Sequence, residues 1–183
     1  MAKIKPVKKT TFLEAVAAAI QHEKNIFDFY LRNAEDLPEG PVKQLFYQLA
    51  EDVEDHIEMI KNLYSEVEGG QALPNLKMLS AVHKFHSTSL SILMRRLDRI
   101  TEKTAAGNEI ETVALATRQL EDTADFYKKV AGKFEDPNIR GLFHQLGSFQ
   151  EENRLLLESY SAIHTQGTPA SQPSAYWEED LNP

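Results

Sequence analysis

Glu23 and His56 are the residues whose types and spacing best fit chemistry, because each falls on the apolar stripe of a helical pattern instead of a polar face. A carboxylate placed on a buried face needs a partner, either a cation or a set of hydrogen-bond donors. An imidazole at the same level can serve as that partner or can join it as a metal ligand. Gln150 and Asn153 stand three apart on a later apolar stripe and add two neutral amides to the same level. Two other groups invite a metal reading but do not carry it. Glu51, Asp52, Glu54, Asp55 and Glu58 lie mostly off the stripe that holds His56 and read as a solvated acidic face. His83 and His86 are three apart but have no acid or thiol at matching spacing, so they read as surface or packing histidines. No nucleophile, base and orienting group share a stripe, which leaves a hydrolase without support.

The elements that must position these residues come in two related pairs. With Tyr30 set over Tyr127, an offset of 97 residues, Val16 meets Val113, Ala19 meets Ala116, Asp28 meets Asp125, Phe46 meets Phe143, Leu49 meets Leu146 and Glu54 meets Glu151. The chain therefore holds two copies of one helix hairpin. The first helix carries Val16, Ala19, Glu23, Phe27, Tyr30 and Ala34 on its inner face; the second carries Val42, Phe46, Leu49, Val53, His56, Ile60, Leu63 and Val67. In the second copy the stripes are Val113, Leu120, Ala124, Tyr127, Ala131, then Phe143, Leu146, Gln150, Asn153, Leu157, Tyr160. Four helices thus aim Glu23, Val53, His56, Leu120, Gln150 and Asn153 at one level of a common core.

Boundaries follow from caps and breakers. Thr11-x-x-Glu14 reads as a capping box, and a first helix runs to about Asp36 before Leu37-Pro38-Glu39-Gly40-Pro41. The second helix runs from about Pro41 to Glu68, with Gly69-Gly70 as its stop. Residues 71–107 form a crossover with one or two helices over about 75–104, and the last two helices span about 109–133 and 138–164. The expected organisation is a flexible basic N-terminus over 1–10, an all-α four-helix bundle over 11–165, and a C-terminal tail over 166–183. In the tail, Tyr176 and Trp177 are two large rings beyond a Pro/Ser-rich segment, and read as an anchor on the bundle or on a partner.

The stretches AIQHEKNIFDFYLRNAED and QLFYQLAEDVEDHIEMIKNLY resemble the ferritin-like domain of rubrerythrin-type proteins, over most of residues 12–164. The resemblance implies a ferritin-like bundle in which a Glu seven residues before the Tyr of each first helix, and a Glu-x-x-His on each second helix, hold two irons. Glu23 and His56 match that pattern, and Tyr30 and Tyr127 match the tyrosines standing behind the ligands. Val53, Leu120, Gln150 and Asn153 occupy the remaining ligand positions with other residue types.

Composition sets further bounds. The 183 residues contain no cysteine, so disulfides, thiolate metal sites and a rubredoxin-type module within them are excluded. A formal charge of −8 disfavours nucleic acid as a partner. The apolar runs are too short for a membrane helix of about 20 residues. Lys3, Lys5, Lys8 and Lys9 precede an apolar run, but Glu14 interrupts it, so a cytoplasmic protein without a cleaved signal is expected.

Two functional readings result. On the first, the bundle has lost di-iron redox chemistry, needs no cofactor, is not an enzyme, and acts as a homodimer or a partner-binding scaffold. On the second, Glu23 and His56 retain one iron or another divalent ion, and the protein handles iron or peroxide as an oxidoreductase.

Overall fold

The computed structural model describes residues 11–71, 88–105 and 108–167. Among them lie five helices: α1 (Phe12–Asp36), α2 (Pro41–Val67), α3 (Thr88–Thr101), α4 (Glu109–Ala131) and α5 (Pro137–Gly167). The fold is all-α, as expected, with α1 and α2 forming one hairpin, α4 and α5 the other, and α3 bridging α1 and α4. The basic N-terminus, His83 and His86 of the crossover, and Tyr176 and Trp177 of the tail lie outside the described residues.

The helix ends are set by the residues expected to set them. Thr11 Oγ1 accepts from the Glu14 backbone N–H, and Asn108 Oδ1 from that of Glu111. Pro41 occupies the first turn of α2, and Asp136 Oδ1 caps α5 by accepting from the Asn138 and Ile139 N–H groups. Gly69 and Gly70 follow α2 with φ of 68° and 91°, a left-handed conformation that glycine adopts without a Cβ clash. Only half of the capping box forms: the Glu14 side chain is buried and its Oε2 has no hydrogen-bond partner among the described residues. The last helix runs to Gly167, past the boundary at 165, because nothing in Ile163–Gln166 breaks it.

Two apolar clusters fill the bundle. One joins Ala15–Ile20 of α1 with Ile60 and Tyr64 of α2, Leu90, Met94 and Leu97 of α3, Phe126 and Val130 of α4 and Phe143 and Leu146 of α5. The other joins Ile26–Ala34 of α1 with Val42–Val53 of α2, Val113–Leu120 of α4 and Leu157 of α5. The predicted stripes are buried in large part, with five corrections: Phe27, Leu63, Asn153 and Tyr160 are half-buried and Val67 is exposed. Conversely, α1 is buried beyond a single stripe. Ala15, Ala17 and Ala18 are covered as fully as Val16 and Ala19, because α2, α3 and α4 all pack against this helix and its alanines let them approach.

Candidate functional site

Between the two apolar clusters the four bundle helices contribute a polar layer: His22 and Glu23 from α1, His56 from α2, Gln119 and Thr123 from α4, and Gln150 from α5, all buried. Glu23 is fully enclosed and its two oxygens have separate donors. His56 Nδ1 lies 3.3 Å from Oε2, and the Tyr127 hydroxyl donates to Oε1. Three helices are thereby tied through one carboxylate. Phe149 of α5 stacks on the His56 ring at 5.5 Å and an interplanar angle of 3°, fixing its orientation.

The sequence placed Glu23 and His56 at one level, and the structure brings them together. It assigns the second partner differently from a cluster completed by Gln150 and Asn153: Tyr127 satisfies the other carboxylate oxygen. Tyr127 lies seven residues, about two turns, from Leu120, and its hydroxyl reaches Glu23 across the α1–α4 boundary. Gln150 is buried in the layer, whereas Asn153 is only half-buried.

A second chain of hydrogen bonds runs beside the first. The Tyr30 hydroxyl donates to Gln119 Oε1 at 3.0 Å, Gln119 Nε2 donates to Thr123 Oγ1 at 2.9 Å, and Thr123 Oγ1 sits 2.8 Å from His22 Nε2. The Thr123 hydrogen is directed to the Gln119 backbone carbonyl at 2.8 Å, so His22 must donate from Nε2 and leave Nδ1 as the bare nitrogen. Nδ1 is buried without a partner among the described residues. His22 and Gln119 escaped the sequence stripes because each precedes an inward residue by one position, about 100° around its helix. The signal was present in the internal repeat. Tyr127 bonds to Glu23, and the repeat-related bond would run from Tyr30 to position 120. Leu120 offers no acceptor, and Tyr30 turns to Gln119 instead.

These environments shift the titrating groups in opposite senses. Burial pushes His22 down to about 4, with the Glu23 charge opposing only in part. For His56, burial also works against the charged form, but the hydrogen bond and charge of Glu23, aided by Asp52 and Asp55, outweigh it and raise the pKa above the ordinary histidine value. Tyr30 and Tyr127 are both raised, first by burial and then by Glu23, so both remain neutral phenols that can donate.

As a di-iron ligand set this layer is incomplete. Among the described residues no group of three or more His, Cys, Asp and Glu side chains is placed to hold a metal ion. Val53 and Leu120 belong to the apolar cluster, and the acids beside the ligand positions turn away: Glu54, Glu121 and Glu152 are exposed, and Glu151 pairs with Arg154 at 3.0 Å. Glu23 and His56 alone do not fit a two-iron centre.

No curated protein matches the sequence. A hypothetical protein from Pyrococcus furiosus has a similar solved structure, with a TM-score of 0.58 and 18% identity over 85% of this chain and 91% of its own, which supports the fold alone. The family model Rubrerythrin matches residues 14–154, the span that holds both hairpins and the polar layer. With the repeated hairpins, the bridging crossover and Glu23 facing His56 across α1 and α2, that match establishes that the chain belongs to the rubrerythrin family.

Proposed function

We propose that this rubrerythrin-family bundle acts without di-iron redox chemistry, as a non-catalytic scaffold in the cytoplasm that binds a protein partner or a second copy of itself. One observation carries the reading: both oxygens of Glu23 are engaged by donors from the protein itself, His56 and Tyr127, in a sealed layer. A carboxylate so satisfied is a structural tie between α1, α2 and α4. A cation at Glu23 would have to use the lone pairs these two bonds leave over and would find His56 as its one further strong ligand among the described residues. Val53 and Leu120, both buried, put methyl groups where two further carboxylates would be needed.

A second reading, one divalent ion at Glu23 and His56, draws support from their 3.3 Å separation, and requires a neutral His56. The raised His56 pKa works against it. Metal analysis of protein purified after growth in iron-rich medium, with an optical spectrum after iron and oxygen are added, separates the readings. The scaffold reading expects far less than one iron per chain and no peroxide turnover. Close to one ion per chain, lost in Glu23→Gln, would establish the second reading, and close to two with peroxide turnover would overturn both.

A further inference from the structure

We propose that the outer groove between α1 and α2 is a docking site for a short amphipathic helix that carries basic residues along the flanks of its apolar face. The inference deepens the partner-binding reading above and rests on it.

The groove has a volume of about 680 Å³. Its floor is apolar: Phe27 and Leu31, one turn apart on α1, face Tyr47 and Ala50 on α2. Phe27, Leu31 and Tyr47 are half-buried and pack onto the apolar cluster beneath, so the floor is held in place by the core. From Tyr47 to Asp55 the lining of α2 covers about 12 Å, two turns of helix. A trough between two packed helices, with side chains spaced by turns along both walls, has the shape that receives a third helix.

The rim determines the charge of the occupant. Glu51, Asp52, Glu54 and Asp55 all line the groove and all are exposed. Among the described residues none of the four pairs with a basic side chain. Three exposed acids elsewhere do meet a base, Glu39 with Lys43 at 3.0 Å, Asp125 with Lys129 at 2.6 Å and Glu158 with Arg154 at 2.7 Å, and others such as Glu35 and Glu152 stand singly; the rim differs in gathering four acids along one groove wall. Four like charges within five positions repel one another along α2, and only Asp52 and Asp55 act on a group inside the bundle, through their charge on His56. A second copy meeting this face through a twofold interface would bring the same acids against themselves, and anionic surfaces are repelled outright. A helix with apolar residues for the floor and Lys or Arg at its flanks relieves both features together.

The test uses the full isotope-labelled chain and a synthetic leucine–lysine amphipathic peptide, followed by NMR and by fluorescence anisotropy. Two control peptides replace every lysine with glutamate or every leucine with serine. Amide shifts should concentrate at Phe27–Leu31 and Tyr47–Asp55, with affinity about tenfold or more above either control and weakening as salt rises. The double variant Glu51→Lys, Glu54→Lys changes only exposed residues and should cost about tenfold in affinity while leaving helicity unchanged. Equal binding of the controls, shifts centred elsewhere, or an unaffected double variant would overturn the proposal. So would groove resonances that move with protein concentration, which would make a second copy the occupant. Groove resonances that respond to Lys3→Ser, Lys5→Ser, Lys8→Ser and Lys9→Ser would assign the groove to the chain's own basic segment and overturn it equally. Iron uptake with peroxide turnover would remove the non-catalytic reading by a separate measurement, and salt-sensitive peptide binding in that same preparation would still support the groove.

Discussion

At the scale of single residues, the polar layer contains two histidines under opposite electrostatic control. His22 binds its proton more weakly in the folded chain than in the unfolded one, so between pH 6.5 and about 4 the unfolded state holds more protons and stability falls as pH falls. The shift to about 4 corresponds to a loss on the order of 3 kcal/mol across that window. Chemical denaturation at pH 7 and pH 4 should show it, and His22→Gln, which keeps a donor for Thr123, should flatten the acid limb; an equally steep limb in the variant would place the effect elsewhere. His56 has the opposite sign. Its folded pKa is raised, so its contribution is complete below the unfolded value and is lost as pH rises through the folded one. His56→Ala removes the imidazole from a buried carboxylate and from the Phe149 stack, and should cost about 3–5 kcal/mol near neutral pH. An unchanged unfolding midpoint would show that Glu23 does not depend on it.

The relation between helices is tested at the scale of elements. Gln119 links α4 to Tyr30 of α1 in place of the acceptor that Leu120 lacks, and Gln119→Leu should strand the Tyr30 hydroxyl at a cost of about 1–3 kcal/mol. The double variant with Tyr30→Phe should recover most of that loss, and failure to recover it would mean the bond is not what couples the two helices. Registration itself can be tested by rebuilding the family ligand pattern with Val53→Glu, Leu120→Glu, Gln150→Glu and Asn153→His. Three added buried carboxylates should lower the stability of the metal-free variant, and iron should restore it in a concentration-dependent way. A folded, fully helical variant that takes up no iron would show that these positions do not converge. Asn153 is the weakest of the four, since its side chain is only half-buried.

For the whole molecule, the two apolar clusters on either side of a sealed polar layer imply one cooperative unit, because Glu23–Tyr127, Tyr30–Gln119 and His22–Thr123 join α1 to α4 while α2 packs on α5 and α3 bridges α1 and α4. Thermal unfolding followed by far-UV circular dichroism and by tyrosine absorbance should therefore give one coincident transition. Two separated transitions would mean that the hairpins unfold independently. If the proposed scaffold acts by binding a second copy of itself, sedimentation at micromolar concentration should show a homodimer with the α1–α2 groove outside its interface, and a monomer at that concentration would leave the protein-partner form of the proposal.

Much of this architecture was legible in the residues. The offset that pairs Tyr30 with Tyr127, the three-and-four spacing of Val42 through Ile60, and the breakers at Pro38, Gly69 and Pro137 together specified two related hairpins, since helical periodicity and caps are local properties of the chain. Glu23 facing His56 followed from those stripes. The partner of the second Glu23 oxygen did not, because Tyr127 reaches it across the bundle from a helix 104 positions away. Nor did the burial of His22, Gln119 and Thr123, which depends on α3 and α4 covering faces of the hairpin helices that a single stripe leaves to solvent. A stripe tells which face of a helix turns inward; how many neighbours surround that helix, and hence which of its other residues must find hydrogen bonds inside, is decided when the helices pack.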